Sequence, residues 1–223
     1  MTALPPDYDT DPGRWASMDR AWMVRGDAHE DVAARIVAAE QRPVLDIGSG
    51  MGRLRACLPE GWSWVGVDAS PAQLRGDETG RAVRGEAEGL PFPAGCFGAV
   101  AALWMLYHLE DPSLAIREAR RVLRDGGTFY ACTASRRNDP ELTPGYPPTT
   151  FDAEEAPDIV ASVFGRAATT VVSWDGPLVE LHDRAALASY RRSHHLPPDA
   201  GEGLDLPLSL TKRGCLVIAR KAR

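Results

Sequence analysis

The sequence predicts an α/β fold: an open, mostly parallel sheet with helices on both faces. Three observations predict it. From residue 44 onward, short apolar runs alternate with helix-patterned segments. The first apolar run empties into a turn containing three glycines and then a helix, and the second closes on an acid. Such β-α-β-α alternation lays successive strands side by side through crossover helices.

The elements follow in order. Residues 1–12, rich in Pro and Asp, read as an arm, and 13–25 carry Trp15, Met18, Trp22 and Met23 at helical spacing. Residues 28–39 repeat Val32, Ile36 and Val37 on one face and form a second helix. Pro43 blocks further helix. Val44–Ile47 is a strand, Gly52–Leu58 a helix start, Trp64–Val67 a strand, Pro71–Arg75 a helical segment and Ala82–Arg84 a weak strand. Phe97–Leu103 is a buried strand, Leu114–Leu123 an amphipathic helix, Asp125-Gly126-Gly127 a turn and Thr128–Cys132 the next strand. Residues 136–151, with four prolines, form a variable loop over the sheet. Glu154–Phe164 and Arg184–Ser193 are helices, Thr169–Trp174 and Cys215–Arg220 strands, and 196–209 an exposed connection. This divides the chain into an N-terminal helical lid, 1–40, and one domain, 41–223, with no clear second core.

Composition narrows the class. Hydrophobic residues make up 44% of the 223 and charged residues 25%, enough for a sizeable core. The net charge of −6 weighs against a large nucleic-acid partner. Cys57, Cys96, Cys132 and Cys215 form no CxxC pair and sit in or beside apolar runs, so they read as small buried hydrophobes. No His/Cys spacing supports a metal. The N-terminus has no basic, then apolar, signal pattern, and the longest apolar stretch, Ala99 to Leu106, is too short to span a bilayer. A cytoplasmic protein without membrane attachment is expected.

The chemistry concentrates in four segments. Val44-Leu45-Asp46-Ile47-Gly48-Ser49-Gly50-Met51-Gly52 carries an apolar strand into glycines that permit a tight turn and close ligand approach. The helix after it offers unpaired N–H groups. A dinucleotide fingerprint would place the third glycine one residue later, where Arg53 stands, which counts against NAD or FAD. Asp68 closes the next strand, 20 residues after Gly48, where an acid can accept both hydroxyls of a ribose. Gly85-Glu86-Ala87-Glu88-Gly89-Leu90-Pro91-Phe92-Pro93 puts a carboxylate where it can accept from an adenine amino group. The fourth segment runs from Phe97 through Trp104-Met105-Leu106-Tyr107-His108-Leu109-Glu110-Asp111-Pro112.

In this order the segments resemble the class I S-adenosylmethionine-dependent methyltransferases, in particular the methyltransferase-11-like group. Val44–Gly52 resembles the family's first motif and Val67–Ser70 its acidic second. Glu86–Pro93 resembles D-A-x-x-L-P-F, Trp104–Pro112 resembles L-x-H-L-x-D-P, and Glu118–Gly127 resembles E-x-x-R-V-L-x-P-G-G. The likeness covers about residues 42–135. Glu86 replaces the commoner Asp, and Asp125 the usual Pro before the double glycine. The resemblance implies a Rossmann-like fold with a seven-stranded sheet, and S-adenosyl-L-methionine as cofactor with S-adenosyl-L-homocysteine as product. It also implies cofactor contacts. Asp46, Gly48, Ser49, Gly50 and Gly52 would hold the methionine moiety, Asp68 the ribose, Ala69 and Ser70 the adenine edge, Glu86 and Ala87 the adenine, and Leu103 the methionine end. Arg25 either pairs with the methionine carboxylate or is a solvated surface residue.

His108 follows the fourth strand, where open α/β sheets place ligands, and is the candidate general base; a structural or cofactor-packing role competes with this. His194 and His195 beside Tyr190, Arg191 and Arg192 form either a substrate-facing cluster or a solvated helix end. Trp15, Trp22, Trp104, Tyr107, Tyr130 and Tyr146 are candidates for substrate contact, an aromatic lining that suits a flat, partly apolar small molecule; a core role competes for each. The expected activity is methyl transfer to a small-molecule acceptor, possibly in specialised metabolism. The alternatives are an RNA- or protein-modifying methyltransferase, using basic patches such as Arg53, Arg55 and Lys212, or a non-catalytic cofactor-binding subunit. The acceptor and the oligomeric state are left open.

Overall fold

A strand that is apolar along its whole length needs helices on both sides of its sheet. β4 (Phe97–Leu103) is buried at every position and occupies the centre of one. The structure, a computed structural model, describes residues 27–75, 77 and 79–223. The expectations placed on residues 1–26, including Trp15, Trp22 and Arg25, lie outside the described residues.

The strands are β1 (Val44–Ile47), β2 (Trp64–Asp68), β3 (Ala82–Arg84), β4, β5 (Leu123–Ala134), β6 (Thr169–Leu181) and β7 (Leu208–Arg220). They form one seven-stranded sheet in the order β3-β2-β1-β4-β5-β7-β6. β1 to β5 run parallel, and β7 lies antiparallel between β5 and β6. This is the Rossmann-like architecture expected of the class I methyltransferase fold. The strand order reverses beside β1, so the C-terminal ends of β1, β2 and β4 open onto one crevice, where such sheets bind ligands.

Each face of the sheet carries its own core. On one side α1 (Ala28–Ala38) and α2 (Arg53–Cys57) pack Val32, Ile36 and Leu54 against Val44, Trp64, Ala101 and Cys132. On the other, α4 (Pro112–Val122) and α5 (Ala156–Phe164) pack Ile116, Ala119 and Val160 against Leu45, Val100 and Phe129. α3 (Pro71–Leu74) is a single turn after β2, with Ser70 as its N-cap. α1 falls within the 1–40 segment read as a lid, but Val32, Ala33 and Ile36 bury it in the sheet layer.

The observed elements differ from expectation at the C-terminal end. β6 and β7 each run 13 residues, well beyond Trp174 and ahead of Cys215. Gly176 and Pro177 look like strand breakers, yet β6 is the edge strand and pairing resumes past an irregularity at Pro177/Val179, both places where proline is tolerated. The extended hairpin and α6 (Arg184–Ser193) enclose a third apolar cluster of Leu142, Val179, Leu181, Leu187, Tyr190, Ala200 and Leu210. The sequence patterning showed no such second core, because these residues come from five separated segments. The Asp125-Gly126-Gly127 turn is absorbed into β5, whose pairing with β4 skips from Leu123 to Thr128.

All four cysteines are free; Cys132 and Cys215 are buried, and burial pushes the Cys215 thiol up to about 11. Among the described residues no helix is long and apolar enough to cross a membrane.

Candidate functional site

The crevice is built on backbone that only glycine adopts easily. Gly48, Gly50 and Gly52 have φ of 68°, 51° and 82°, the left-handed region that costs a side-chain-bearing residue about 1–2 kcal/mol. At Gly48 space is limiting as well: a Cβ would lie 2.7 Å from Met105 Cβ and Cγ. The Gly48 and Ser49 N–H groups donate to the Val67 carbonyl at 2.8 and 3.1 Å, hooking the loop over the end of β2. Gly66 inside β2 lets the loop settle there, since a Cβ would stand 2.5 Å from Ser49 Oγ and 2.7 Å from Trp64 Cη2.

Asp68 is clamped in place. Its Oδ2 accepts from the Gly50 N–H at 2.8 Å and its Oδ1 from the Ser70 N–H at 2.9 Å. The side chain is half-buried. Ser70 Oγ accepts from the Gln73 N–H at 3.2 Å. That hydroxyl is therefore used as a helix cap, and Ser70 is buried at 1% exposure.

Asp46 ends β1 at 4% exposure. Burial, reinforced by the charge of Asp68, pushes its carboxyl up to about 8. The Trp64 indole offsets part of this rise without its Nε1 reaching hydrogen-bond geometry. Two further polar groups in this region are buried without partners, Ser49 Oγ and Gln73 Nε2. Buried polar atoms left unpaired cost roughly 1–3 kcal/mol each. Gln73 Oε1 lies 3.6 Å from where a Gly50 Cβ would be, so its amide borders the loop. The sequence reading passed over Gln73, which stands in an apolar-looking helix start.

The other predicted residues divide into three groups. Ala69 sits half-buried beside Asp68, and Leu103 is buried at the end of β4. Gly85 N–H donates to the Asp68 carbonyl at 3.1 Å, which brings the exposed Glu86 and the buried Ala87 to the same edge. Trp104, Tyr107 and His108 follow β4 and are all half-buried, with the Tyr107 and His108 rings 4.3 Å apart.

Tyr130 is a correction. It pairs with Ala101, inside the strand rather than at its end, and is 3% exposed. Its hydroxyl donates to Gln41 Oε1 at 2.9 Å, in the segment before β1, so the phenol serves the core under α1 and not the substrate space. Tyr146 donates to Asp139 Oδ2 at 2.6 Å. His194 stacks on Tyr190 at 3.9 Å and bonds Ser193 and the Tyr190 carbonyl, which supports the helix-end reading.

One positioning device was not read as such from the sequence. Glu118 accepts from the Leu90 N–H at 2.9 Å, and Arg121 donates to the carbonyls of Phe92 and Leu90 at 2.8 and 3.1 Å. The E-x-x-R spacing on α4 thus clamps the segment that carries Glu86 and Ala87. Its signal is an i, i+3 acid–base pair facing a proline-rich loop. Asp152, Glu154 and Glu155 form the described residues' one group with metal-like spacing, and Arg136 is paired with all three, so a cation already stands among them.

Comparisons agree with this geometry. A methyltransferase domain family matches residues 45–131. The chain is 36% identical over 126 residues to an uncharacterised methyltransferase, YcgJ, of Bacillus subtilis (strain 168), covering 51% of this chain and 50% of that one. It is 32% identical over 161 residues to the demethylmenaquinone methyltransferase of Roseiflexus sp. (strain RS-1), covering 66% and 63%. The crystal structure of YcgJ superposes with a TM-score of 0.59 at 20% identity, over 87% of this chain and 99% of that one. The chain spans 50% and 63% of the length of these two curated relatives. The strand order and the structural likeness give the chain the class I methyltransferase fold, and its residues 45–131, with the glycine loop and the acid closing β2, are similar to a methyltransferase domain.

Proposed function

We propose that the protein is an enzyme transferring a methyl group from S-adenosyl-L-methionine to a small-molecule acceptor. The observation that carries this reading is the pairing of the glycine loop with Asp68, held at 2.8 Å by the loop's own Gly50 N–H. The residues present fit the cofactor. Gly48, Gly50 and Gly52 leave room for close approach, and Ser49 Oγ and Gln73 Nε2 are buried polar groups in want of a partner. Asp68 would hold the ribose, Asp46 and the loop the methionine portion, and Glu86 and Ala87 the adenine. When bound, the cofactor supplies an electrophilic methyl on a sulfonium. The chain's part is to align the acceptor and exclude water, and alignment alone can lower a barrier by about 7–11 kcal/mol in favourable cases. The net charge of −6 favours a small molecule over a phosphate backbone as acceptor. The Roseiflexus relative, by its name, acts on such a molecule. Incorporation of labelled methyl from the cofactor into a panel of small molecules, against RNA and protein controls, tests the reading.

Asp46 gives a pH signature. Its folded pKa, raised to about 8 from 3.8, means that the ligand-free fold keeps the proton at neutral pH. The stability associated with this proton is present below pH 3.8 and is lost as pH rises to about 8. A cationic ligand reverses the preference and expels the proton. Cofactor binding at pH 7 is expected to release close to one proton, and affinity to rise from pH 6 to pH 8. Calorimetry in buffers of different ionisation heat checks this. Release that is absent, or that persists in Asp46→Asn, removes the assignment.

His108 sits on the turn after β4 and is the side chain we assign to accept the acceptor's proton. His108→Ala is expected to lower kcat by about 10²–10⁴-fold with cofactor Kd unchanged. Unaltered turnover would end its candidacy.

A further inference from the structure

The strand ends beyond the glycine loop hold a feature that cofactor binding does not use. Trp104 directly follows β4 with φ 60°, a left-handed conformation rare for so bulky a side chain. Its N–H donates to the Cys132 carbonyl at 3.0 Å, which pins it there. The next residue, Met105, is the one that abuts Gly48. Trp104 therefore stands immediately beside the cradle.

Trp174 comes from β6, with β7 and β5 lying between that strand and β4. It reaches across because its partner on β7 is Gly214. A Cβ at Gly214 would lie 2.3 Å from Trp174 Cζ2 and 2.6 Å from the Thr133 carbonyl oxygen, so the glycine both spares the neighbouring backbone and leaves the indole room to lie over the strand. The two indoles meet at 6.1 Å between centroids and 62° between planes. Both are half-buried. A core position asks only for apolar volume. It gives no reason for left-handed backbone under a tryptophan. Local strain of this kind gathers at ligand sites, and Trp104 adjoins one.

We propose that Trp104 and Trp174 form the acceptor subsite and select acceptors that present a flat conjugated ring. The proposal rests on the methyltransferase reading above. An edge-to-face pair offers a ring one indole face to stack on and one edge to meet, the two arrangements aromatic rings prefer. A saturated ring of the same size gains only burial. A quaternary ammonium would be held by the ring faces instead, and among the described residues this edge-to-face pair offers no surrounding cage.

The test uses the full chain saturated with S-adenosyl-L-homocysteine and labelled with 5-fluorotryptophan, with resonances assigned through Trp104→Phe and Trp174→Phe. It is titrated with 2-naphthol, decahydro-2-naphthol and choline. The expected result is that 2-naphthol shifts the signals of Trp104 and Trp174 and binds about tenfold tighter than the saturated analogue. Trp174→Ala should lose that preference while leaving S-adenosyl-L-homocysteine affinity unchanged. Equal binding of both naphthols, a preference for choline, shifts confined to other tryptophans, or no 2-naphthol binding to a chain that binds S-adenosyl-L-homocysteine each overturn the subsite alone. A chain that ignores S-adenosyl-L-homocysteine overturns the methyltransferase reading and the subsite with it.

Discussion

Replacing Lys212 by methionine is expected to destabilise the protein by about 3–5 kcal/mol, the usual cost of leaving one member of a buried ion pair uncompensated. Asp139 is 0% exposed. Its Oδ1 and Oδ2 accept from Lys212 Nζ at 2.8 and 3.1 Å, and its Oδ2 also accepts from the hydroxyls of Tyr146 and Tyr190 at 2.6 and 2.9 Å. Lys212 Nζ makes a further bond of 2.6 Å to the Tyr190 hydroxyl. Burial pulls the Lys212 ammonium down despite Asp139, and burial together with the Asp139 charge raises both phenols. The cluster ties the loop after β5 to α6 and β7, and so holds the extended hairpin against the rest of the sheet. Asp139→Asn should cost as much. Asp139 has φ 53°, which asparagine tolerates, so that change isolates the charge. In chemical denaturation the double variant should lose clearly less than the sum of the singles, since it leaves no unpaired charge. For a chain of this size the single losses correspond to a Tm lowered by roughly 6–20 °C. Singles within about 1 kcal/mol of the parent, or strict additivity, would show that the network stabilises little.

What was legible in the sequence was whatever the backbone or a short spacing enforces. The glycine loop could be read because three glycines between an apolar run and a helix have few other uses. Asp68 could be read because it ends a strand at a fixed distance from that loop. α6 could be read because Asp183 caps it and its apolar face has helical period. The Asp139 network left little local trace, since apart from Tyr146 its partners lie 51 and 73 residues away. Tyr130 was misplaced because alternation along a strand tells which face a residue takes, not how far it lies from the strand end. Trp174 was missed for a related reason. Its role depends on Gly214 in a neighbouring strand, and no spacing within β6 reports that register. The lengths of β6 and β7 were underread because Gly176 and Pro177 are strand breakers everywhere except at an edge.

Asp68→Ala is expected to weaken cofactor binding by about 10- to 100-fold, the value of hydrogen bonds to a charged acceptor at roughly 1.5–3 kcal/mol. The loss has two possible origins, because Asp68 also accepts from the Gly50 and Ser70 N–H groups and its removal loosens the loop itself. A ligand change separates them. The parent protein should bind S-adenosyl-L-homocysteine more tightly than its 2′-deoxy analogue, since the missing hydroxyl is one that Asp68 would accept. The alanine variant should bind the two alike, because the group that tells them apart is gone. Such a cycle, with one change on the protein and one on the ligand, isolates the contact from any general slackening of the loop, which lowers both affinities equally. If calorimetry instead gives the same ratio in parent and variant, Asp68 acts only as the loop's anchor, and the sugar is gripped elsewhere.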